Sequence, residues 1–250
     1  MAKKLTRRQK TQITRQTNIS EDFYNINNPR EKKFFENKTI FPRNQHQEDA
    51  LNSLRKNTLT ILTGAPGTAK SMLSVYVACE LLENREIDKI YYVKPIVDIP
   101  GNIGLGFLPG DVKEKILPHI APVRDSLEVF MSKSKADYLI SKEIIEFLPI
   151  EHLRGRSLNN CMVIADEVQN TTTHTIFTIL TRIGSNSKIA LLGDIIQRDL
   201  SSSFGQDGLS DVIKRLKRNP DVGHVNFDFE DICRSGFVKS VIYSYADLYE

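Results

Sequence analysis

Cysteine is scarce in this 250-residue chain, and long apolar runs are missing altogether. Its three cysteines, Cys79, Cys161 and Cys233, are odd in number and far apart, which argues against a disulfide framework or a zinc site and favours reduced thiols. The five histidines show no metal-ligand spacing. No run approaches the roughly 18 apolar residues of a membrane span, and the polar, basic start does not match a signal peptide. We therefore expect a cytoplasmic protein with no membrane partner.

Acidic residues are absent from the first 20 positions, whereas basic ones are frequent there. Of 34 lysines and arginines, six precede Glu21, which leaves 28 against 31 acidic residues in the remainder. A basic segment rich in threonine and glutamine predicts disorder. It is either a solvated tail or a contact for the phosphate backbone of a nucleic acid. We expect residues 1–40 to be an extension and linker, and residues 41–250 to form one domain.

Short apolar runs alternate with helix-like patterns through the rest of the chain. The spacing predicts strands at 58–63, 89–94, 161–166, 188–193 and 224–229, the last of these alternating and least buried. Helices are predicted from residue 44, over 71–84 and over 237–249. The glycine-rich segment 95–111 reads as a long loop, a feature that is usually functional. Such alternation predicts the α/β class, with a parallel sheet covered by helices on both faces.

The segment LTGAPGTAKS, residues 62–71, matches a triphosphate-binding loop except at one position. Ala69 stands where the pattern has its second glycine. If that position needs a positive φ, the alanine costs roughly 1–2 kcal/mol, and otherwise almost nothing. Neither cost abolishes binding, so a working triphosphate site is predicted over Gly64, Ala65, Pro66, Gly67, Thr68, Ala69, Lys70 and Ser71. Lys70 is expected on the β- and γ-phosphates, and the Ser71 hydroxyl on Mg²⁺.

Two acids follow the apolar run 161–165, and two glutamines flank the predicted site. Asp166 is placed to hold Mg²⁺, and Glu167 to act as general base toward the attacking water. Gln197, after the run LLGDII, would orient water or sense the γ-phosphate. Gln47, on the helix before the first strand, would hydrogen-bond the adenine edge, although that residue taken alone is better explained as a surface glutamine.

Five segments carry a family resemblance: GAPGTAKS, GNIGLGFLPGDVKEKILPHIAPVRDSL, RGRSLNNCMVIADEVQNTT, LTRIGSNSKIALLGDIIQRDL and DICRSGFVKSVI. Together they resemble the PhoH family of phosphate-starvation-type ATPases, from about residue 41 to residue 245. The resemblance implies a single RecA-like P-loop NTPase domain, similar to the first motor domain of superfamily 1 helicases. It also implies ATP and Mg²⁺ as ligands, ATP hydrolysis, and a role with RNA or single-stranded nucleic acid.

The resemblance also assigns residues. Gln47 matches the adenine-binding glutamine, Lys70 and Ser71 the phosphate and Mg²⁺ ligands, and Asp166 with Glu167 the acidic pair. Gly193, Asp194 and Gln197 match the third helicase-like motif, and Arg234 matches an arginine near the family's C-terminus. Ala69 departs from the pattern, and so does the pair Arg198 and Asp199.

A second motor domain, which would supply an arginine to the ATP site, does not fit in this chain. Arg234, or else Arg182, would then face the nucleotide of a neighbouring subunit, in a homo-oligomeric ring that the family resemblance makes a hexamer. Strand separation by one such chain is not expected.

Two other functions compete with that of an ATPase. The first is an ATP-dependent switch or binding module with little turnover, which would not need Glu167. The second is a small-molecule or nucleoside kinase, which the helicase-like motifs disfavour. Phosphate release with and without nucleic acid separates the three.

Overall fold

A six-stranded parallel sheet forms the centre of this computed structural model, which describes residues 39–95, 112–195 and 207–245. The strands are β1 (Leu59–Gly64), β2 (Lys89–Lys94), β3 (Ile145–Pro149), β4 (Cys161–Ala165), β5 (Lys188–Gly193) and β6 (Val222–Phe227). Their order in the sheet is β3-β2-β4-β5-β1-β6. Every pairing is parallel, so the carboxyl ends of all six strands lie along one edge.

Apart from β3 and β4, which are joined by a segment with a 3-10 turn at Ile150–Leu153, the strands are connected by α-helices, the usual crossover between parallel strands. The helices are α1 (Gln45–Lys56), α2 (Lys70–Glu83), α3 (Val112–Phe130), α4 (Lys133–Ser141), α5 (Thr173–Leu180), α6 (Gly208–Leu216) and α7 (Gly236–Ser244). Among the described helices, none is both long and apolar enough to cross a membrane.

Alternate residues of the central strands face opposite layers of helices. Ile61, Val163 and Leu191 belong to a buried cluster that includes residues of α5 and α6. On the opposite side of β1, the hydroxyl of Thr60 lies 2.9 Å from that of Ser53 on α1. The helices α1, α2 and α3 pack against one another and against the strands. The predicted α/β class, with one parallel sheet and helices on both faces, is therefore confirmed.

Apart from the last helix, the predicted strands and helices begin and end within two residues of their predicted bounds, and β2 and β5 match those bounds. Asn44 caps α1, because its side chain accepts a hydrogen bond from the backbone N–H of Gln47. The strand β6 ends at Phe227, two residues earlier than predicted, because Asp228 caps a short 3-10 turn. The helix α7 has no buried residue, and the predicted end of this helix, 246–249, lies outside the described residues.

Candidate active site

The loop after β1 is closed by its own lysine. Lys70 Nζ donates to the carbonyl oxygens of Gly64 (2.6 Å) and Ala65 (2.9 Å), and lies 3.3 Å from Thr68 Oγ1. The Thr68 hydroxyl donates to the carbonyl of Ala65 at 3.0 Å and is fully buried. Burial lowers the pKa of Lys70, and the negative charges of Asp194, Asp166 and Glu167 oppose this effect. This loop, residues 64–71, is called the phosphate loop below.

Ala69 adopts the backbone conformation that favours glycine. Its φ of 71° and ψ of 15° lie in the left-handed region, immediately before α2 begins at Lys70. A side chain with a Cβ is strained there by roughly 1–2 kcal/mol. The sequence left open whether φ at Ala69 is positive or negative. In the structure it is positive, so the alanine carries the strain energy.

Asp166 lies just beyond β4 and is held by three hydrogen bonds. Its Oδ2 accepts from the Ser71 hydroxyl at 3.1 Å and from the Tyr92 hydroxyl, and its Oδ1 accepts from the backbone N–H of Glu167 at 3.0 Å. Burial raises the pKa of Asp166, an effect that the hydrogen bond from Tyr92 opposes. The predicted pair of Mg²⁺ ligands, Ser71 and Asp166, is therefore in direct contact.

Glu167 is held in place by its backbone and by two side chains. Its φ of 57° and ψ of 36° are left-handed, a conformation that costs energy in a non-glycine residue and clusters at functional sites. Gln169 Nε2 donates to Glu167 Oε2 at 2.6 Å, and Lys94 Nζ lies 3.6 Å from Glu167 Oε1. The Glu167 side chain is nevertheless 45% exposed, so it can reach a ligand.

Gln169 also links the acidic pair to the next strand. Its Oε1 accepts from the backbone N–H of Asp194 at 3.2 Å, just after β5. A Cβ at Gly193 would lie 2.6 Å from Leu209 Cδ2 and 2.9 Å from the same oxygen, so these two side chains would have to shift to admit one. Because Gln169 is buried, this bridge fixes the ends of β4 and β5 relative to each other.

Arg234 lies against the phosphate loop of its own chain. A Cβ at Gly67, whose φ is 83°, would lie 2.7 Å from Arg234 Cγ. The preceding residue, Cys233, donates its backbone N–H to the carbonyl of Gly67 at 2.9 Å. Arg182, the alternative arginine, is exposed on the segment after α5 and does not line the cleft described below.

Gln47, on α1, is buried and only 3% exposed. Its Oε1 accepts from the backbone N–H of Arg43 at 3.0 Å, and its Nε2 donates to Cys233 Sγ at 3.2 Å. It is therefore not the surface glutamine that was its alternative interpretation. Direct contact with adenine stays a prediction.

Two adjoining clefts run along this edge of the sheet. The phosphate cleft, of about 600 Å³, is lined among others by Lys70, Ser71, Asp166, Glu167, Asp194 and Arg234. A second cleft, of about 460 Å³, is lined by residues that include Arg43, His46, Asp231 and Cys233. Cys233 and Arg234 line both. The geometry suits an elongated ligand with a phosphate-bearing end.

His46, Asp228 and Asp231 offer ligand atoms within 4.8 Å of one another beside the second cleft. These atoms already serve the fold, because Asp231 Oδ2 lies 2.8 Å from His46 Nδ1 and accepts from the backbone N–H of Asp228 at 2.7 Å. The Asp231 hydrogen bond raises the pKa of His46. The cluster is therefore explained without a metal.

Several predicted features lie outside the described residues. They are Gln197 with its neighbours Arg198 and Asp199, most of the glycine-rich segment 95–111, and the basic extension.

The fold and the residues that line the cleft define the structural class of this protein. A strand, a phosphate loop and a helix with a basic residue, facing acids at the ends of neighbouring strands, constitute a P-loop NTPase fold. The large terminase from a thermophilic bacteriophage, solved in complex with ADP, shares this fold with a TM-score of 0.50. The two are 10% identical, over 82% of this chain and 50% of the terminase.

The family follows from sequence. The model of the PhoH-like protein family matches residues 39–246, and the chain belongs to that family. It is 35% identical over 209 residues to Protein PhoH of Escherichia coli (strain K12), covering 83% of this chain and 58% of that protein. It is 34% identical over 208 residues to the PhoH-like protein of Bacillus subtilis (strain 168), covering 83% and 64%. The match thus spans about three fifths of these relatives.

Three residues of the site were not predicted. Tyr92, Lys94 and Gln169 contact the acidic pair directly. Only Gln169 could have been found from the sequence, because it follows Glu167 by two positions in DEVQNTT, part of a segment that carries the family resemblance. Tyr92 and Lys94 come from another strand and could be found only once the sheet order was known.

Proposed function

We propose that this chain is a Mg²⁺-dependent ATPase. The observation that carries the proposal is the contact of Ser71 with Asp166, between the phosphate loop and the end of β4. That contact joins two motifs 95 residues apart whose separate roles are phosphate binding and metal binding. Family membership and the terminase, whose structure contains ADP, support a nucleotide as the ligand.

Lys70 is the proposed phosphate ligand. Its ammonium has three donors, and its contacts with the loop give it three partners at present. Binding of ATP would transfer donors from the loop carbonyls to the β- and γ-phosphates. The backbone N–H groups of the loop and of the start of α2 add positive potential at the same point.

The residues present suit Mg²⁺, a cation that prefers oxygen ligands and is commonly held by one carboxylate together with substrate phosphates. The Ser71 hydroxyl and the Asp166 carboxylate supply the protein's oxygens, with 3.1 Å between them. The bound ion would neutralise charge on the phosphates. Other oxygen ligands would come from ATP and from water.

Glu167 is the proposed general base. Its carboxylate is partly exposed in the phosphate cleft, and Gln169 and Lys94 orient its two oxygens. It would take a proton from the water that attacks the γ-phosphate. A switch that holds ATP without turnover would not need this residue, so the orientation of Glu167 favours the ATPase over the switch.

Arg234 is proposed to stabilise charge on the phosphates of its own chain's nucleotide. Its stem lies on Gly67 and it lines the phosphate cleft. This role needs no neighbouring subunit. The homo-oligomeric ring, in which Arg234 or Arg182 would serve a neighbour, stays a separate prediction.

RNA or single-stranded nucleic acid is the proposed partner, as the family resemblance implies. The basic extension is the proposed contact, and its phosphate interactions would make affinity salt-dependent. Deleting residues 1–20 should weaken binding and flatten the dependence of log affinity on log salt, since six cations stop displacing counterions. An unaltered salt slope would leave the tail as a solvated segment.

Phosphate release from ATP tests the proposed function. We expect Mg²⁺-dependent release by the wild type, stimulated by RNA or single-stranded DNA, and loss of most ATP affinity in Lys70→Ala. Tight ATP binding without release under any of these conditions would favour the switch. Transfer of the γ-phosphate to a nucleoside, in place of release, would indicate a kinase.

A further inference from the structure

Tyr92 places a hydroxyl at the proposed metal site from the middle of β2. It lies opposite Ile164 in the β2–β4 pairing, two residues before Asp166, and is only 5% exposed. Its hydroxyl donates to Asp166 Oδ2. The ring packs with its centroid 6.1 Å from that of Phe147. A phenylalanine would preserve the ring packing, so the hydroxyl itself needs another explanation.

That explanation lies in how the Asp166 carboxylate is held. Oδ1 accepts from the backbone N–H of Glu167, whereas Oδ2 accepts from the hydroxyls of Ser71 and Tyr92. Under the proposed function, the Ser71 hydroxyl oxygen would also bind Mg²⁺, so the position of this donor would depend on the metal. Tyr92 would then be the side-chain donor that keeps the carboxylate in place.

The strand β2 supports both acids from one of its faces. Side chains two apart on a strand point the same way, so Tyr92 and Lys94 project together. Tyr92 contacts Asp166, and Lys94 pairs with Glu167 at 3.6 Å. Both also line the phosphate cleft. Tyr91, the residue before Tyr92, points to the opposite face, where Lys89 Nζ lies 5.0 Å from its ring centroid.

We infer that Tyr92 is a positioning residue for Mg²⁺: its hydroxyl orients Asp166 so that the carboxylate meets the metal–nucleotide complex already aligned. The inference rests on the proposed ATPase function and adds to it a residue of β2. Tyr92 itself need not touch the metal, because its hydroxyl is engaged by the carboxylate.

The test compares Tyr92→Phe with Tyr91→Phe, the same chemical change one position away on the other face. Binding of a fluorescent, non-hydrolysable ATP analogue is titrated with Mg²⁺, and is measured also in EDTA. Thermal unfolding of each variant checks that the fold is intact. Neither readout depends on turnover.

We expect Tyr92→Phe to raise the Mg²⁺ concentration at half-saturation by about tenfold, as for loss of a hydrogen bond to a charged group. Binding in EDTA should be unchanged, and Tyr91→Phe should match the wild type. In an Asp166→Asn background, Tyr92→Phe should have a much smaller effect, because the two residues act through one contact.

Equal Mg²⁺ dependence of Tyr92→Phe and Tyr91→Phe would overturn the inference while leaving the proposed function intact. Tighter Mg²⁺ binding by Tyr92→Phe would also overturn it, by showing that the hydroxyl competes with the metal. Wild-type protein that binds the analogue without any response to Mg²⁺ would overturn the proposed metal site and this inference together.

Discussion

Replacing Ala69 with glycine should stabilise this protein, although glycine destabilises the interior of a helix. Ala69 has a φ of 71°, where a Cβ is crowded by the backbone. Glycine adopts this conformation freely. The substitution thus restores the residue that the triphosphate motif has at this position and removes strain from the phosphate loop.

The magnitude follows from two opposing terms. Relief of the left-handed strain contributes roughly 1–2 kcal/mol. The greater freedom of glycine in the unfolded chain takes back about 0.4–1 kcal/mol. The net gain is on the order of 1 kcal/mol, which corresponds to a rise in Tm of about 2–4 °C for a domain of this size. ATP affinity should be equal, or improve by no more than about tenfold, equivalent to 1.4 kcal/mol.

Thermal unfolding and ATP titration measure the two effects. Ala78→Gly is the matched control, because Ala78 is fully buried within the same helix α2. There glycine should lower stability by at least about 1 kcal/mol, the opposite sign, because both helix propensity and a buried methyl group are lost. A fall in Tm for Ala69→Gly would refute the strain argument. A large loss of ATP affinity would show that the Ala69 methyl group makes a needed contact.

Three further predictions concern the residues around the clefts. Mixing Arg234→Ala with Lys70→Ala protein should recover no ATPase activity if Arg234 serves its own chain; recovery would instead support a ring in which it serves a neighbour. Gln169→Ala should lower kcat by about tenfold with little change in KM, since it loosens the proposed base without touching the phosphates; an unchanged kcat would reduce Gln169 to a structural role. The Asp231 hydrogen bond raises the pKa of His46, so its stabilisation is complete below the unfolded value of about 6.5 and is lost as pH rises through the higher folded value. Because His46 is 42% exposed, His46→Gln should cost under about 1 kcal/mol at pH 5.5 and less at pH 9; unfolding midpoints at the two pH values that show the same cost would contradict the assignment.

The buried central strands were predictable because their composition is mostly apolar. β1, β4 and β5 are short apolar runs, which bury well on both faces of a parallel sheet. β3 was missed because it is an edge strand whose three middle residues are only partly buried and which ends at Pro149. Proline is largely confined to edge strands and strand ends. Its five residues carry no clear periodicity.

Sequence motifs were enough to predict the residues at the centre of the site. Supporting residues on other strands could be found only once the pairing of the strands was known. Ser71 and Asp166 were each predicted as an Mg²⁺ ligand from its motif, and their side chains are in contact. Tyr92 lies 74 residues from Asp166 in the chain and reaches it only because β2 pairs with β4. The sign of φ at Ala69 was likewise open until the backbone was known.

Single-turnover hydrolysis of bound ATP tests the central claim most directly. The wild type and Glu167→Gln are each loaded with ATP, started with Mg²⁺, and assayed for bound ADP over time. The account predicts that both bind ATP, and that Glu167→Gln converts it at least 10²-fold more slowly, as expected on losing a general base. Equal rates would remove Glu167 from the mechanism, and failure of the wild type to bind or cleave ATP would contradict the assignment of this cleft as an ATPase site.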